Sequence, residues 1–191
     1  MLPLNLPNML TLSRILMVPA VVVALTSEIP YGDAIAAAVF IVAAVTDGLD
    51  GYIARSRKAV TTFGKVMDPI ADKLLIIAAL LALVSLDRVA AWVAMLIIAR
   101  EFAVSGLRIA ASQEGAVISA SRLGKIKTIT QSLAVLALIA APDAGVVWVQ
   151  ALVWAMIVAT VVSGADYFMG YRRRVDALAA EQAAERAAAG R

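Results

Sequence analysis

DGLDGYIARSRKAVTTFGKVMDPIAD, residues 47–72, sets two pairs of aspartates on either side of a short basic connection. Asp47 and Asp50 lie three residues apart, Asp68 and Asp72 four apart, spacings at which side chains leave one face of a helix. Four carboxylates directed at one another repel unless cations lie among them. The spacing therefore predicts bound metal, and metal beside a membrane points to chemistry on charged phosphate groups. The opposing explanation is that these acids sit in headgroup water and merely end helices. An aspartate at mid-bilayer costs roughly 2.5–3.5 kcal/mol, and four at full depth on the order of 10 kcal/mol. A lone aspartate would leave the two explanations balanced; four at this spacing, with glycines beside them, favour use.

The surrounding chain is strongly apolar: 191 residues, 62% hydrophobic, with a mean hydropathy of +0.89. A soluble domain is nearer half apolar. The excess falls into six segments of roughly 20 residues, the length that crosses a bilayer core. They lie near residues 9–27, 33–55, 66–86, 89–111, 122–141 and 146–171. The expected fold is an all-α integral membrane protein with six transmembrane helices. Residues 1–174 form its one membrane domain, and 175–191 form an alanine-rich cytoplasmic tail, helical or frayed. There is no internal repeat.

The front of the first span, MLPLNLPN, carries no lysine or arginine, which argues against a cleaved signal peptide. On the six-span arrangement Arg55, Arg57, Lys58, Lys65, Arg108, Arg122, Lys125, Lys127 and Arg172–Arg174 all fall at one side, and only Arg88 at the other. That side is the cytoplasm, and both termini lie there. The pI of about 9.4 reflects this face, which anionic headgroups attract at roughly 1 kcal/mol per basic residue.

Cysteine and histidine are absent. Disulfides, thiolate catalysis, zinc–thiolate sites and a histidine base are thereby excluded. A metal here takes hard oxygen ligands, which suits magnesium, manganese or calcium, and a general base would be a carboxylate.

Asn8 is placed to cap a helix starting at Met9, and Arg14 is close enough to the interface to snorkel. Asp47 precedes Arg55 by eight residues, about 12 Å along a helix, partly within hydrocarbon. Gly64, Asp68 and Asp72 recur at i, i+4 and i+8, and Pro69 implies a kink or a helix beginning near Met67. Gly48, Gly51 and Ala54 leave one helix without bulk, and Gly64 does the same opposite, so a ligand can approach closely. Arg55 sits where a guanidinium can grip a phosphate with two hydrogen bonds. Acid pairs, a smooth patch and an arginine suit a diphosphate held through metal ions.

The pattern D-x2-D-G-x2-A-R-x8-G-x3-D-x3-D has eight fixed positions, all filled from Asp47 to Asp72. In this the chain resembles the CDP-alcohol phosphotransferase family. NLPNMLTLSRILMVP, DPIADKL, IAREFAVSGLR, GKIKT and SGADYF extend the resemblance over most of the chain, toward the bacterial phosphatidylglycerophosphate synthases. The alanine-rich tail has no match in it.

The resemblance implies transfer of a phosphatidyl group from CDP-diacylglycerol to sn-glycerol 3-phosphate, releasing CMP, in phospholipid biosynthesis at a bacterial cytoplasmic membrane. It implies Asp47, Asp50, Asp68 and Asp72 as ligands to Mg2+ or Mn2+, two ions in all. Asp72 would also accept the proton of the attacking hydroxyl. Gly51, Ala54, Arg55 and Gly64 would border the CDP group, between the second and third helices at the cytoplasmic side. A homodimer is the family's common state; no nucleic acid partner is expected. Metal bridging of the diphosphate suits an in-line displacement, although a metal-bound carboxylate is a weak base.

Glycerol phosphate needs a cationic cradle, and Arg100, Arg108 and Lys125 are the candidates. Arg100 and Arg108 stand roughly 80° apart around a helix and about 12 Å along it, so both can border one cavity. The plainer explanation for Arg108 and Lys125 is anchorage of helix ends; Glu101 beside Arg100 favours an internal polar network. Lys73 is balanced between pairing and surface roles. Lys127, Arg57 and Lys58 are expected to be solvated, and Asp166 to support Arg100 or a neighbouring lysine from the last span.

Two alternatives compete. The signature is shared by enzymes with other acceptors: inositol phosphate, phosphatidylglycerol (a cardiolipin synthase) or serine. A transporter using intramembrane carboxylates is the other, but all four acids crowd into one stretch with no counterpart later in the chain.

Overall fold

The computed structural model describes residues 6–57, 62–113, 121–141 and 143–189. Among them are six α-helices and no strand: α1 (Leu6–Thr26), α2 (Gly32–Arg57), α3 (Thr62–Ser85), α4 (Ala91–Gln113), α5 (Arg122–Ala140) and α6 (Val147–Ala189). Each expected apolar segment falls on one of these helices.

Three boundaries differ from expectation. Helix α1 already includes Leu6, so Asn8 lies inside it and is not its cap. Helix α3 starts at Thr62, ahead of Met67, and takes in Pro69. Helix α6 runs unbroken to Ala189, because alanine, glutamate, glutamine and arginine are strong helix formers and neither glycine nor proline intervenes after Gly170.

Among the described residues, Arg122–Ala140 and Val147–Ala177 are long and apolar enough to cross a membrane. Leu12–Thr26, Gly32–Thr46 and Lys73–Ser85 are shorter apolar helical stretches.

The chain divides into two compact units. The first comprises residues 1–94 and 131–153. Within it α1 packs against both α2 and α3. The buried face of α1 is Arg14, Val18, Val21 and Leu25, a 4-3-4 spacing that keeps one side of a helix. Arg14 is only 1% exposed, so the expectation that it snorkels is overturned: a residue on the face that meets two neighbouring helices has no path to the interface.

The corners of this unit are specific. At Gly32 a Cβ would stand 2.4 Å from the carbonyl oxygen of Ala24, so only glycine lets α2 start so close to the end of α1. Helix α3 ends in a Schellman motif: Asp87 takes a φ of 55°, the Arg88 N–H reaches Leu83 O at 2.9 Å and the Asp87 N–H reaches Val84 O at 3.1 Å. The motif aims the Arg88 side chain at the carbonyls of Leu138 (3.4 Å) and Ile139 (3.1 Å) and at Asp33 Oδ2 (2.7 Å). One guanidinium thus satisfies the end of α5 and pairs with the acid in the first turn of α2. The sole basic residue assigned away from the cytoplasmic side is a structural clamp.

The second unit comprises residues 95–130 and 154–191. Its buried stripe on α4 is Ile97, Glu101 and Val104, and on α6 Met156, Thr160, Ser163 and Tyr167. Ser121 caps α5, its Oγ accepting the Gly124 N–H at 3.1 Å. Polar side chains therefore occupy core positions of this unit.

Candidate functional site

In the first unit the backbone carries the acid motif on two helices. Ala36, Phe40 and Ala43 are buried at 4-3 spacing on α2, and Asp47, Asp50 and Ala54 are the next positions of that register. On α3 the buried Leu75 and Ala79 are preceded in register by Asp68 and Asp72, with Gly64 one turn earlier. Helix α2 also carries Gly51 and Arg55. The side chains of Asp47, Asp50, Gly51, Ala54, Arg55, Gly64, Asp68 and Asp72 lie outside the described residues. Continuous helix through both pairs keeps partners within about one turn, and an all-carboxylate donor set fits a hard divalent cation.

The second unit gathers a cationic cluster from α4, α5 and α6. The Arg100 side chain is 12% exposed; its Nη1 meets Glu101 Oε1 at 3.1 Å and its Nη2 donates to Ser163 Oγ at 3.0 Å. Its Nε–H is buried with no hydrogen-bond partner among the described residues, so this paired cation keeps donor capacity to spare. Lys127 closes on the same Glu101 Oε1. Arg108 donates to the Tyr167 hydroxyl, and its guanidinium lies 4.9 Å from the centre of the Tyr167 ring. The guanidinium of Arg100 lies 5.6 Å from the same centre. Both distances fall within the cation–π range.

Of the expected acceptor-binding residues, Arg100 and Arg108 thus converge on one tyrosine, while Lys125 is exposed. One expectation is corrected. Lys127 is 5% exposed rather than solvated, because at 100° per residue it faces nearly opposite to Lys125 and its stem runs into the α4–α6 side of α5. Arg100 is held from α6 by Ser163, one turn before Asp166, which is half-buried. Tyr167 and Glu101 were missed as a centre. The signal for Tyr167 lay in the 4-3-4 run from Met156 through Thr160 and Ser163, which places a polar stripe, and Tyr167 on it, inside.

Three cations and one carboxylate leave a net positive cluster, which could hold an anion. Arginine supplies planar, forked donors that match phosphate oxygens.

Residues 4–164 match the CDP-alcohol phosphatidyltransferase family. A Bacillus subtilis protein named CDP-diacylglycerol–glycerol-3-phosphate 3-phosphatidyltransferase is 41% identical over 185 residues, 86% of this chain and 93% of that protein. A Mycobacterium tuberculosis protein named probable phosphatidylglycerophosphate synthase is 43% identical over 168 residues, 85% of this chain and 79% of that one. A rice protein named cardiolipin synthase (CMP-forming) is 40% identical over 174 residues, 84% of this chain and 53% of the rice protein.

Proposed function

The chain belongs to the CDP-alcohol phosphatidyltransferase family, and from that we propose that it transfers the phosphatidyl group of CDP-diacylglycerol to sn-glycerol 3-phosphate, releasing CMP. The observation that carries the choice of a phosphorylated acceptor is the arginine pair gathered on Tyr167. A net positive cluster suits a phosphomonoester dianion better than serine, a zwitterion with no net charge. The names of the Bacillus and Mycobacterium relatives agree.

The chemistry follows from the residues. The acceptor hydroxyl oxygen forms a bond to the phosphorus that bears the lipid, and the bond from that phosphorus to the CMP oxygen breaks. The hydroxyl proton goes to Asp72, and the electron pair leaves with CMP. Arg55, with Gly51, Ala54 and Gly64 giving close approach, holds the diphosphate. Arg100 and Arg108 hold the acceptor's phosphate, and exposed Lys125 draws it in from solvent. Asp47, Asp50, Asp68 and Asp72 would hold two divalent ions, Mg2+ or Mn2+, whose charge would stabilise the diphosphate leaving group.

The setting is a bacterial cytoplasmic membrane, crossed by all six helices with both termini inside, the chain acting as a homodimer. What supports immersion beyond the two longest apolar stretches is the surface. Leu16, Met95, Phe102, Ile109, Ile129, Trp154 and Phe168, drawn from α1, α4, α5 and α6, are each more than half exposed, an arrangement suited to lipid and not to water. Hydroxyls of Thr26, Thr46, Ser105, Thr128 and Thr130 bond to carbonyls of their own helices, which satisfies them without water.

A second reading, phosphatidylglycerol as acceptor, is favoured by the name of the rice relative. One experiment separates them: purified protein in detergent with CDP-diacylglycerol and, in turn, glycerol 3-phosphate, inositol phosphate, phosphatidylglycerol and serine, with and without EDTA. Metal-dependent CMP release with glycerol 3-phosphate is expected. Turnover confined to another acceptor would replace the proposal, and no CMP release with any would leave room for a transporter.

A further inference from the structure

We propose that Tyr167 is the positioning residue of the acceptor site: one buried ring sets the direction and spacing of the Arg100 and Arg108 guanidinium groups, and Gly124 keeps the space that ring needs. The proposal rests on the reading of those arginines as the cradle for the acceptor's phosphate.

Arg100 and Arg108 leave α4 two turns apart, about 12 Å along its axis. Their charged ends nevertheless lie 5.6 and 4.9 Å from one aromatic centre. Two long cationic side chains do not converge of their own accord, since their charges repel and each loses rotamer freedom on being fixed. Something must hold them. Glu101 and Ser163 hold Arg100. For Arg108 the partners are the hydroxyl and ring of Tyr167. Tyr167 is therefore the element common to both.

Tyr167 is itself tightly constrained. It is 4% exposed. Its hydroxyl accepts from Arg108 and from the Ser121 backbone N–H at 3.3 Å, so both lone pairs are engaged. The hydroxyl is thus occupied as an acceptor, which fits a fixed support and not a proton-abstracting group. Ser121 is the cap of α5, and the cap bond fixes the N–H that Tyr167 receives. Three residues on, a Cβ at Gly124 would lie 3.1 Å from the Tyr167 hydroxyl oxygen and 3.3 Å from its Cε2. A methyl there would press the ring by a few tenths of an ångström, and so disturb the surface on which both arginines rest. The glycine of GKIKT thus has a use that its helical position does not explain.

The test compares Tyr167→Phe, Tyr167→Leu and Gly124→Ala with wild type in detergent, varying glycerol 3-phosphate and CDP-diacylglycerol separately. Tyr167→Phe keeps the ring and loses the hydroxyl; about a fivefold rise in KM for glycerol 3-phosphate is expected. Tyr167→Leu loses both, with a rise of about thirtyfold or more. Gly124→Ala, the mildest change, should raise the same KM about threefold. In each the KM for CDP-diacylglycerol should stay within about twofold of wild type. A general packing role would move both KM values together, or lower only the amount of active protein; either result overturns the proposal, as does an unchanged glycerol 3-phosphate KM. If Tyr167→Leu does not fold, the Phe and Ala variants decide alone. Wild-type protein inert toward glycerol 3-phosphate would instead remove the acceptor reading, and this proposal with it.

Discussion

Lys127, in the second turn of α5, is buried against the carboxylate of Glu101 on α4. Glu101 also holds Arg100, so one carboxylate faces two cations in a place where water is scarce. Breaking such a group by removing one partner is far more costly than replacing it whole. Lys127→Met should destabilise the protein by about 1–3 kcal/mol, since Glu101 loses one of its two cations and keeps Arg100. Lys127→Met combined with Glu101→Gln should cost clearly less than the sum of the two singles, since each single already removes the ion pair they share. Thermal unfolding of the singles and the double in one detergent measures the coupling. Additive effects would show that the two side chains do not depend on each other.

The corner between α1 and α2 gives an independent prediction for the first unit. A methyl at Gly32 would meet a backbone oxygen at 2.4 Å, and backbone cannot step aside cheaply. Gly32→Ala should cost roughly 1–3 kcal/mol or more, the range for overpacking. Arg88→Ala should cost about 1–2 kcal/mol: it frees two carbonyls at the end of α5, but the pair with Asp33 is discounted because that acid is 42% exposed. Unfolding midpoints within a degree of wild type would refute both.

How far the chain is legible depends on what decides each feature. Six helices and their approximate ends are written in apolar run length, a local property, so they emerge directly. The start of α3 does not, because Pro69 looks like a boundary and helix continuity through it is set by context. The acid motif is legible because its spacing is itself the signal. Lys127 and Arg14 are not: a lone cation in an apolar run is compatible with snorkelling or with burial, and only the neighbours decide. Tyr167 sits between the two cases. Its helical register was readable, but the arginines it supports come from α4, 59 residues earlier in the case of Arg108. No local pattern reports that distance.

The acid ladder should be unforgiving. Asp47→Ala, Asp50→Ala, Asp68→Ala and Asp72→Ala are each expected to lower the turnover rate at least about 100-fold, on the order of 3 kcal/mol in the barrier. EDTA should abolish CMP release, and added Mg2+ or Mn2+ should restore it in wild type. A variant that retains more than about a tenth of wild-type turnover would take its residue out of the metal-binding set.

Arginine and lysine should prove unequal at positions 100 and 108. Arg100 reaches Glu101, Ser163 and the Tyr167 ring in three directions, which a planar fork can do and a single ammonium cannot. Arg100→Lys therefore loses orientation as well as donors, and keeps only charge. Arg108 has fewer fixed partners, the hydroxyl and ring of Tyr167, so Arg108→Lys loses less. We expect the KM for glycerol 3-phosphate to rise about 30-fold or more in Arg100→Lys and about tenfold in Arg108→Lys, with CDP-diacylglycerol KM little changed in both. Raising ionic strength should widen the gap between each variant and wild type, because a point charge on a flexible stem is screened more readily than a buried, oriented fork. Equal effects at the two positions would mean that net charge alone holds the acceptor, and that the contacts of Arg100 with Glu101 and Ser163 serve the fold.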